Sequence, residues 1–382
     1  MNRLPLHHTA IFSIFLFTAM TAVMLMTVSI LHSTQLLPAP VLTLIAAAMV
    51  LAALLLSRLF FPASNIRKQS KRLIASTLSI CLIAACTLSS YTALLAAHSL
   101  RAMFGSMQQP ITAAQSISAA EPFAVYLGGS DTRSSAFTKS RWDVNILAVV
   151  SPTAQQVLLV NTPRDYYVPN PAGGGAKDKL THCGLYGLDN TKQAMSLLYG
   201  IPVDYGAVIN FDGFSRLIDA MGGITVTSDT AFTTSVGGYS ITPGENHLNG
   251  AQALALARER KHLSRGDNAR GENQMQILTA MLRQCTDCGL SGKLPALLSA
   301  LEGTFTTDIP LPLLSELVVT RLADIGKWEL LTYSVTGTDS TARCWSMASE
   351  VYVMVPDASV ETASAVMQQM LQGAVITPEM LQ

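Results

Sequence analysis

The sequence predicts a layered α/β domain that follows three membrane-spanning helices. Two observations support this prediction. Charged residues make up only 13% of the 382-residue chain, whereas ordinary soluble domains carry roughly 25%, and the deficit is concentrated near the N-terminus. After residue 122, segments typical of strands alternate with segments typical of helices, which is the order that characterises α/β layers.

Three apolar runs account for the missing charge. No Asp, Glu, Lys or Arg lies between Arg3 and Arg58, and the third run is also free of charge. A helix needs about 20 apolar residues to cross a bilayer. A cleaved signal peptide is the alternative for the first run, but that run exceeds a usual signal core and two more runs follow. Residues 1–100 are therefore predicted to form an anchor with spans at about 9–31, 39–57 and 73–97.

The loops between the spans predict the orientation of the anchor. The loop at residues 32–38 has no Lys or Arg, whereas the loop between the second and third spans carries Arg67, Lys68, Lys71 and Arg72. Loops rich in Lys and Arg stay in the cytoplasm. The N-terminus is therefore predicted to be cytoplasmic, with everything after the third span outside the membrane of the cell.

The extracytoplasmic part is predicted to have a stalk at residues 101–121, rich in Ser, Ala and Gln, and a folded domain at 122–375. β-rich runs bounded by turn residues predict strands near residues 122–129, 145–150, 156–160, 205–209, 224–227, 329–333 and 351–355. Helical patterns, one of them ended by Gly222 and Gly223, predict helices near residues 190–199, 211–221, 250–256, 268–283, 294–301, 311–322 and 359–372.

Two aspartates stand at neighbouring strand ends. Asp131 follows the glycines that end the first strand, and Asp143 opens the next strand twelve residues later. A loop between them would bring both carboxylates to one edge of the sheet. Paired carboxylates near phosphates usually hold Mg²⁺, which takes one or two protein carboxylates and keeps several waters. Two solvated loop acids are the alternative, and spacing alone does not choose between them.

Arginines are grouped around the same strand ends. Arg164 lies at the end of a strand, in the sequence Thr162-Pro-Arg-Asp165, and Arg133 and Arg141 lie in the segment that joins the two aspartates. A guanidinium forms a fork that matches phosphate oxygens. One such arginine is usually a surface residue, but several at adjoining strand ends indicate an anion site.

A second group of arginines is found in Ala257-Arg-Glu-Arg260. On a helix, Arg258 and Arg260 would diverge, whereas in extended chain they share one side and Glu259 takes the other. A joint role on one anion therefore requires the preceding helix to end at about Ala257. It also predicts that loss of Glu259 matters far less than loss of either arginine. A solvated basic loop is the alternative.

Another helix is predicted directly after this group. Gly266 and Asp267 introduce it, with Asp267 as a possible N-cap. Arg270 and Gln274 are four residues apart and share one helix face. Since the start of a helix favours anions, this face is a further candidate for anion binding.

With these motifs the chain resembles the LytR-CpsA-Psr family, over about residues 123–356. Each motif is weak alone, but the ordered set is highly specific. The chain departs from the family's usual Arg and Gln at Asn273 and Met275. The matching motifs are Gly128-Gly-Ser-Asp131-Thr-Arg133, Ser140-Arg-Trp-Asp143, Pro163-Arg-Asp165, Lys179-Leu-Thr-His182, Asn210-Phe-Asp-Gly-Phe214, Met221-Gly-Gly-Ile224, Leu248-Asn-Gly250, Ala257-Arg-Glu-Arg260 and Gly266-Asp-Asn-Ala-Arg270-Gly-Glu-Asn-Gln274.

The resemblance implies a three-layer α-β-α sandwich with a mixed central sheet and an apolar pocket for a polyprenyl tail. It implies transfer of a glycopolymer from a polyprenyl-pyrophosphate carrier to peptidoglycan, with Mg²⁺ held by Asp131 and Asp143. By position, the resemblance assigns catalysis to Arg164, Asp165, Arg258 and Arg260. For Asp165 the alternative is that it only orients Arg164. The pyrophosphate-binding residues so implied are Arg133, Arg141, Arg164, Arg258, Arg260, Arg270 and Gln274.

The expected partners are the lipid-linked glycan donor, peptidoglycan and membrane lipid. No nucleic acid is expected, because Lys plus Arg and Asp plus Glu balance at 25 each, without the basic field that nucleic acids require. Three other functions stay open: a pyrophosphatase, a membrane-bound transcriptional regulator and a module that only binds lipid-linked glycan. Disulfides are the default for extracytoplasmic cysteines, namely Cys183, Cys285, Cys288 and Cys344.

Overall fold

The computed structural model describes residues 6–34, 39–60, 68–104, 121–132, 135–260, 266–287, 293–310 and 328–381, with positions 313 and 316. Two compact units divide the chain, one containing Met1–His98 and the other Ser99–Leu313 and Thr320–Gln382. Several sequence predictions fall outside the described residues: residues 105–120 of the stalk, most of the helix predicted at 311–322, the basic loop up to Arg67, Arg133 and Cys288.

The first unit contains three long helices, α1 (Leu6–Thr34), α2 (Ala39–Phe60) and α3 (Lys68–Phe104). Each includes a stretch long and apolar enough to cross a membrane, as the sequence predicts. Packing between the helices includes a polar contact, in which the Ser90 hydroxyl donates to the Thr27 hydroxyl at 3.0 Å. In an apolar surrounding the hydrophobic effect does not drive helices together, so such hydroxyl pairs contribute to their association alongside van der Waals packing.

The second unit carries the remaining elements. Its strands are β1 (Phe123–Ser130), β2 (Trp142–Ser151), β3 (Gln156–Asn161), β4 (Tyr167–Pro169), β5 (Lys177–Lys179), β6 (Tyr205–Asn210), β7 (Ile224–Ser228), β8 (Phe232–Thr233), β9 (Ser240–Ile241), β10 (Gly244–Leu248), β11 (Phe305–Thr307), β12 (Glu329–Ser334), β13 (Gly337–Arg343) and β14 (Glu350–Pro356). Its helices are α4 (Leu180–Cys183), α5 (Leu188–Tyr199), α6 (Phe211–Met221), α7 (Gly250–Ala257), α8 (Gly266–Asp287), α9 (Leu294–Leu301) and α10 (Ser359–Leu371).

The central sheet has six strands in the order β11-β6-β1-β2-β3-β12. β1 pairs with β6 in parallel and β3 with β12 in parallel, while the other neighbours are antiparallel. The sheet is therefore mixed, as expected. Because β1, β3, β6 and β12 run in one direction, their carboxyl ends meet at the same edge, together with the start of the antiparallel β2.

One face of the sheet packs on α5 and α10. Leu147 and Val208 from the strands join Met195 of α5 and Met367 of α10 in one core, and all four are fully buried. Side chains alternate between the faces of a strand, so the neighbours of these strand residues point the other way. Burying an aliphatic side chain of this size contributes about 1.5–3 kcal/mol, and this face supplies the larger core.

The opposite face packs on α6 to α9, which completes three layers and confirms the predicted α-β-α sandwich. Ile218 of α6, Leu256 of α7 and Ile277 of α8 form a second buried core with the β7–β10 ribbon. The predicted α6 and α9 match the structure at both ends, and α8 begins two residues before its predicted start at 268. The short strands β4, β5, β8, β9 and β11 were not predicted, nor were β10 and β13.

Two cysteines contradict the expectation of disulfides. Cys183 and Cys344 are free thiols, and both are buried. Burial, followed by the nearby charge of Asp178, raises the pKa of Cys183 to about 12. Both thiols therefore behave as small apolar core groups. Cys285 lies in α8, whereas its CxxC partner is among the residues not described.

Candidate functional site at the carboxyl edge of the sheet

A bulge at the edge of the sheet presents Asp143. Ser130 of β1 pairs with Trp142 and Gly129 pairs with Val144, so Asp143 is the extra residue between them. Bulges re-aim a side chain and are common beside functional sites. Asp131 follows Ser130 directly on the neighbouring strand and is exposed. The two aspartates therefore lie at one sheet edge, as their spacing predicts.

Four charged side chains form a chain of contacts at this edge, which we call the ion-pair array. Arg164 Nη1 lies 2.8 Å from Asp143 Oδ1, and Arg164 Nε lies 3.4 Å from Asp165 Oδ2. Lys179 Nζ lies 2.8 Å from Asp165 Oδ1. The side chains are between 15% and 26% exposed, so they are shielded from water without being sealed from a ligand.

Lys179 is a member of this array that sequence reasoning did not place in the site. It stands in one of the family motifs, but 14 residues separate it from Asp165. The β4–β5 hairpin closes that separation, with Tyr167 opposite Lys179. Asp165 accepts a hydrogen bond from Lys179 and forms an ion pair with Arg164, an arrangement in which it orients the two cations.

An apolar cavity of about 240 Å³ opens between the sheet and helices α6 to α9. Two polar side chains, Asn210 and Gln274, are among the groups that line it. Gly129 lies on its floor, where a Cβ atom would come within 2.8 Å of the Val144 side chain. The rest of the lining is mostly aliphatic and aromatic, and includes Leu127, Ile146, Phe211, Phe214, Leu217, Leu254, Ile277, Leu278, Met281 and Phe305.

Arg258 lies beside this cavity. Helix α7 ends at Ala257, as the joint role of the two arginines requires, and Arg258 follows as its C-cap. The guanidinium carbon of Arg258 lies 4.9 Å from the ring centroid of Phe211, which lines the cavity. A guanidinium stacked on a ring is held by the π face while its N–H edge stays available to an anion.

Glu259 differs from its expected setting. It is only 1% exposed and accepts hydrogen bonds from the hydroxyl and the backbone N–H of Ser235. The expectation that Glu259 is easily replaced is therefore wrong in its premise, because the side that faces away from the arginines is protein interior. Of the two arginines, Arg260 is half-buried and Arg258 is exposed.

Helix α8 brings its first turns against the sheet and α7. Arg270 is 5% exposed and Gln274 9% exposed, and the Gln274 amide donates to Ala257 O at 3.2 Å. A Cβ atom on Gly271 would come within 2.1 Å of the Asn161 amide, so only glycine permits this approach. The helix begins at Gly266, which places Asp267 at the second position of the first turn, so its assignment as N-cap is wrong by two residues.

The predicted site residues thus fall into two groups. Asp143, Arg164 and Asp165 touch one another at the sheet edge. Gln274 lines the cavity and Arg258 lies over its rim, while Arg141 and Asp131 are exposed at the edge. Phe211 and Asn210 were missed as site residues, although their position at the carboxyl end of β6, a strand of the parallel pair, was a usable signal.

The aspartates suit a magnesium ion in type and place. Mg²⁺ takes one or two carboxylates and otherwise keeps water, and Asp131 and Asp143 stand at adjacent strand ends. Each carboxylate oxygen has two lone pairs, so the contact of Asp143 with Arg164 leaves it able to approach a cation. Among the described residues no group of three or more His, Cys, Asp or Glu side chains is placed to hold a metal.

Comparison with known proteins places these features in context. The profile of the LytR_cpsA_psr family matches residues 93–368. The polyisoprenyl-teichoic acid–peptidoglycan teichoic acid transferase TagU of Halalkalibacterium halodurans is 35% identical over 197 residues, 51% of this chain and 64% of that protein. TagU of Bacillus subtilis is 33% identical over 195 residues, 51% of this chain and 62% of that protein. The chain therefore spans less than two thirds of these curated relatives.

A solved structure agrees with the fold. The crystal structure of Bacillus subtilis TagV is similar with a TM-score of 0.56 and 27% identity, covering 66% of this chain and 98% of that one.

Proposed function

Because the chain belongs to the LytR-CpsA-Psr family, we propose that it transfers a teichoic acid or related glycopolymer from a polyprenyl-pyrophosphate carrier to peptidoglycan. One observation carries the proposal: an apolar cavity lies beside cationic side chains at one sheet edge. A polyprenyl pyrophosphate has the same two parts, an apolar tail and a dianionic head. The names of the TagU relatives describe this reaction for those proteins.

The tail would occupy the cavity, where its methylene groups gain about 0.8 kcal/mol each on burial. The pyrophosphate would then lie near Arg258 and the ion-pair array. A wall sugar hydroxyl attacks the phosphorus that bears the glycan, forming a new O–P bond and releasing its proton to water. The bond from that phosphorus to the bridging oxygen breaks, and polyprenyl phosphate leaves with the electron pair.

Arginines at this position stabilise charge rather than exchange protons. Phosphoryl transfer depends mostly on positioning and charge neutralisation, and guanidiniums stay protonated at any working pH. Arg164 would contact the phosphate next to Asp143, with Asp165 holding it in orientation. Arg258 would contact the leaving group from the other side. The remaining expected contacts, Arg141, Arg260, Arg270 and Gln274, are part of the same proposal.

We also propose Mg²⁺ on Asp131 and Asp143, where it would neutralise phosphate charge. Asp131→Ala should lose Mg²⁺-dependent transfer and the thermal shift that Mg²⁺ gives the wild type. Asp229→Ala, at an exposed aspartate of another segment, serves as the matched control. Full activity of Asp131→Ala in chelator, or an unchanged thermal shift, would contradict the metal site.

The proposed topology has the N-terminus in the cytoplasm and the sheet domain outside. A cysteine at Ser70 should resist a membrane-impermeant maleimide in intact cells and react after lysis. A cysteine at Asp189, whose side chain is 89% exposed, should react in intact cells. Wild type treated in parallel gives the background of the native thiols. Labelling at Ser70 and protection at Asp189 would show the inverse orientation.

The deciding experiment mixes the purified full-length chain with radiolabelled lipid-linked glycan and peptidoglycan. The expected result is label on peptidoglycan, in an amount that depends on acceptor. Release of soluble glycan phosphate at the same rate without acceptor would identify a pyrophosphatase instead. Binding of the donor without turnover would identify a binding module, and in either case transferase activity would be rejected.

A further inference from the structure

A buried carboxylate stands between two residues proposed to contact pyrophosphate. Glu259 lies between Arg258 and Arg260 in the chain and is 1% exposed. Burying an ionised carboxylate is costly unless hydrogen bonds replace its water. An apolar residue at this inward position would avoid that cost. A charge here therefore calls for a specific account of its contacts.

Those contacts join two separate segments. Oε1 of Glu259 accepts from the Ser235 hydroxyl at 2.8 Å and from the Arg260 backbone N–H at 2.9 Å. Oε2 accepts from the Ser235 backbone N–H. We call this set of contacts the Glu259 clamp. Three donors on one carboxylate fix both its position and its rotation, since each oxygen is engaged from a different direction.

The clamp holds a hairpin that is otherwise slight. Strands β8 and β9 have two residues each and pair through Phe232–Ile241 and Thr233–Ser240. Isolated two-stranded hairpins are marginal at best in water. The base is anchored by Ile241, which is 2% exposed in the core with α6 to α8. Ser235 lies in the connecting loop, so the clamp ties the loop to the end of α7.

The same clamp sets the direction of the arginines. Arg258 keeps helical backbone dihedrals as the C-cap of α7, and the Glu259 backbone N–H donates to Leu256 O at 3.1 Å. The inward Glu259 and the exposed Arg258 therefore both follow directly from the fixed end of α7. Arg258 then rests on Phe211 at the rim of the cavity. The Arg260 backbone N–H is bound by the same carboxylate. Rotation of this segment would move the Arg258 guanidinium away from Phe211 and the cavity.

We infer that Glu259 is a positioning residue, which fixes Arg258 and Arg260 toward the substrate by clamping their segment to the β8–β9 hairpin. The inference rests on the proposed function for its effect on transfer, but the clamp itself is a structural statement. It extends the site to a hairpin loop that contains neither an arginine nor an acid. Ser235 acts through Glu259 and is a second positioning residue.

The first test separates positioning from binding. Glu259→Gln keeps the shape but replaces one acceptor oxygen by an amide donor that faces the donors of the clamp. We expect kcat to fall by about ten- to a hundredfold, since small misplacements of catalytic groups have effects of this size, while the KM for lipid-linked donor changes less than about threefold. Glu245→Gln, at an exposed glutamate of β10, is the matched control and should match wild type.

A second variant tests the connection through Ser235. Ser235→Ala removes one of the three hydrogen bonds and should lower kcat by a smaller factor than Glu259→Gln. In the double variant the effects should be less than additive, as expected for residues in one network. Additive effects, or wild-type kcat in Glu259→Gln, would overturn the inference. If Glu259→Gln folds poorly, Ser235→Ala tests the same inference at a position whose side chain is exposed.

Hydrogen exchange tests the clamp without any activity. The Ser235 amide should exchange slowly in the full-length wild type and at least tenfold faster in Glu259→Gln, with global stability measured in parallel. Equal exchange in the two would overturn the clamp. If wild type transfers no glycan, the proposed function fails while this measurement still decides whether the clamp exists.

Discussion

The two charged regions of the site are built in opposite ways. In the ion-pair array, Asp143, Arg164, Asp165 and Lys179 contact one another at 2.8 to 3.4 Å, and their formal charges sum to zero. In the segment after α7, Arg258 rests on the ring of Phe211 and its neighbour Glu259 is held by a serine hairpin. One region holds its cations by charge, and the other holds them by packing and backbone geometry.

This difference indicates which of the two regions would neutralise the charge of a substrate. A guanidinium that already contacts carboxylates mainly positions a bound phosphate, because the carboxylate charges largely cancel its electrostatic field. A guanidinium stacked on a ring mainly neutralises the charge of a bound phosphate, because the ring contacts only its planar face and its N–H donors point outward. We therefore expect the array to fix the position of the phosphate that is attacked, and Arg258 to stabilise the phosphate that leaves.

The largest expected effect is at Arg164, which joins the two halves of the array. Arg164→Ala should lower kcat by about a thousandfold, equal to roughly 4 kcal/mol, the scale for loss of one well-placed donor. It should also lower the melting temperature, since Asp143 and Asp165 lose their shared cation. Arg216→Ala, an exposed arginine of α6 that donates to Glu302 O, is the control. Transfer rates within threefold of this control would remove Arg164 from the site.

Arg258 is expected to show the next largest effect, with a different signature. Arg258→Ala should lower kcat by about a hundredfold without a change in melting temperature, because the side chain is exposed. Phe211→Leu keeps the cavity apolar but removes the ring, and should lower kcat by about three- to tenfold, consistent with a cation–π contact of roughly 1 kcal/mol. A larger loss in Phe211→Leu than in Arg258→Ala would contradict the stacked arrangement.

Lys179 is expected to matter less than either arginine, because its contact in the array is to Asp165. Lys179→Met should lower kcat by about tenfold or less and should raise the effect of Arg164→Lys when the two are combined. Lys177→Met, two positions earlier on β5 and exposed, is the matched control. A loss of kcat in Lys179→Met as large as that in Arg164→Ala would indicate that Lys179, like Arg164, contacts the substrate directly.

The sequence predicted the layered fold because periodicity and turn residues are local signals. Helix α6 was predicted in this way at both ends, and α7 to within one residue of its end at Ala257. Strands of two or three residues, such as β5 and β8, have too few positions to show alternation. Lys179 and Ser235 were missed for that reason, since each reaches the site through such a strand or its loop.

The environment of Glu259 shows a different limit. Whether the side of the chain that carries Glu259 faces water or protein depends on the β8–β9 hairpin, whose Ser235 lies 24 residues earlier in the chain. Likewise, the cavity lining comes from four strands and four helices, and no local pattern shows that they enclose a space. The family resemblance implied the pocket, whereas the residues alone did not.

The last prediction concerns Asp178, on the strand that carries Lys179. It tests whether Asp178 only supports the ion-pair array or belongs to the functional site. Asp178 is fully buried next to Lys179, and its Oδ1 accepts from the Lys179 backbone N–H at 2.8 Å and contacts His182 Nδ1 at 2.7 Å. Burial alone would raise the pKa of Asp178, but hydrogen bonds from His182, Ser346 and the Lys179 backbone outweigh it and hold the pKa below 3.8.

A carboxyl with a lowered folded-state pKa stabilises the fold above its unfolded pKa, and that stability is lost as pH falls through the folded value. Asp178→Asn should therefore reduce the free energy of unfolding at pH 7 by about 1–3 kcal/mol. The difference from wild type should persist down to the unfolded pKa near 3.8 and shrink below it. Asp339→Asn, at an exposed carboxylate of β13, should change stability by less than about 0.5 kcal/mol. Melting of the full-length chain between pH 7 and pH 3, with transfer rates at pH 7, gives both measurements.

We expect the transfer rate of Asp178→Asn at temperatures well below melting to stay within about threefold of wild type, because Asp178 supports β5 without touching the array's side chains. A rate loss comparable to that of Lys179→Met, at unchanged stability, would instead make Asp178 part of the site.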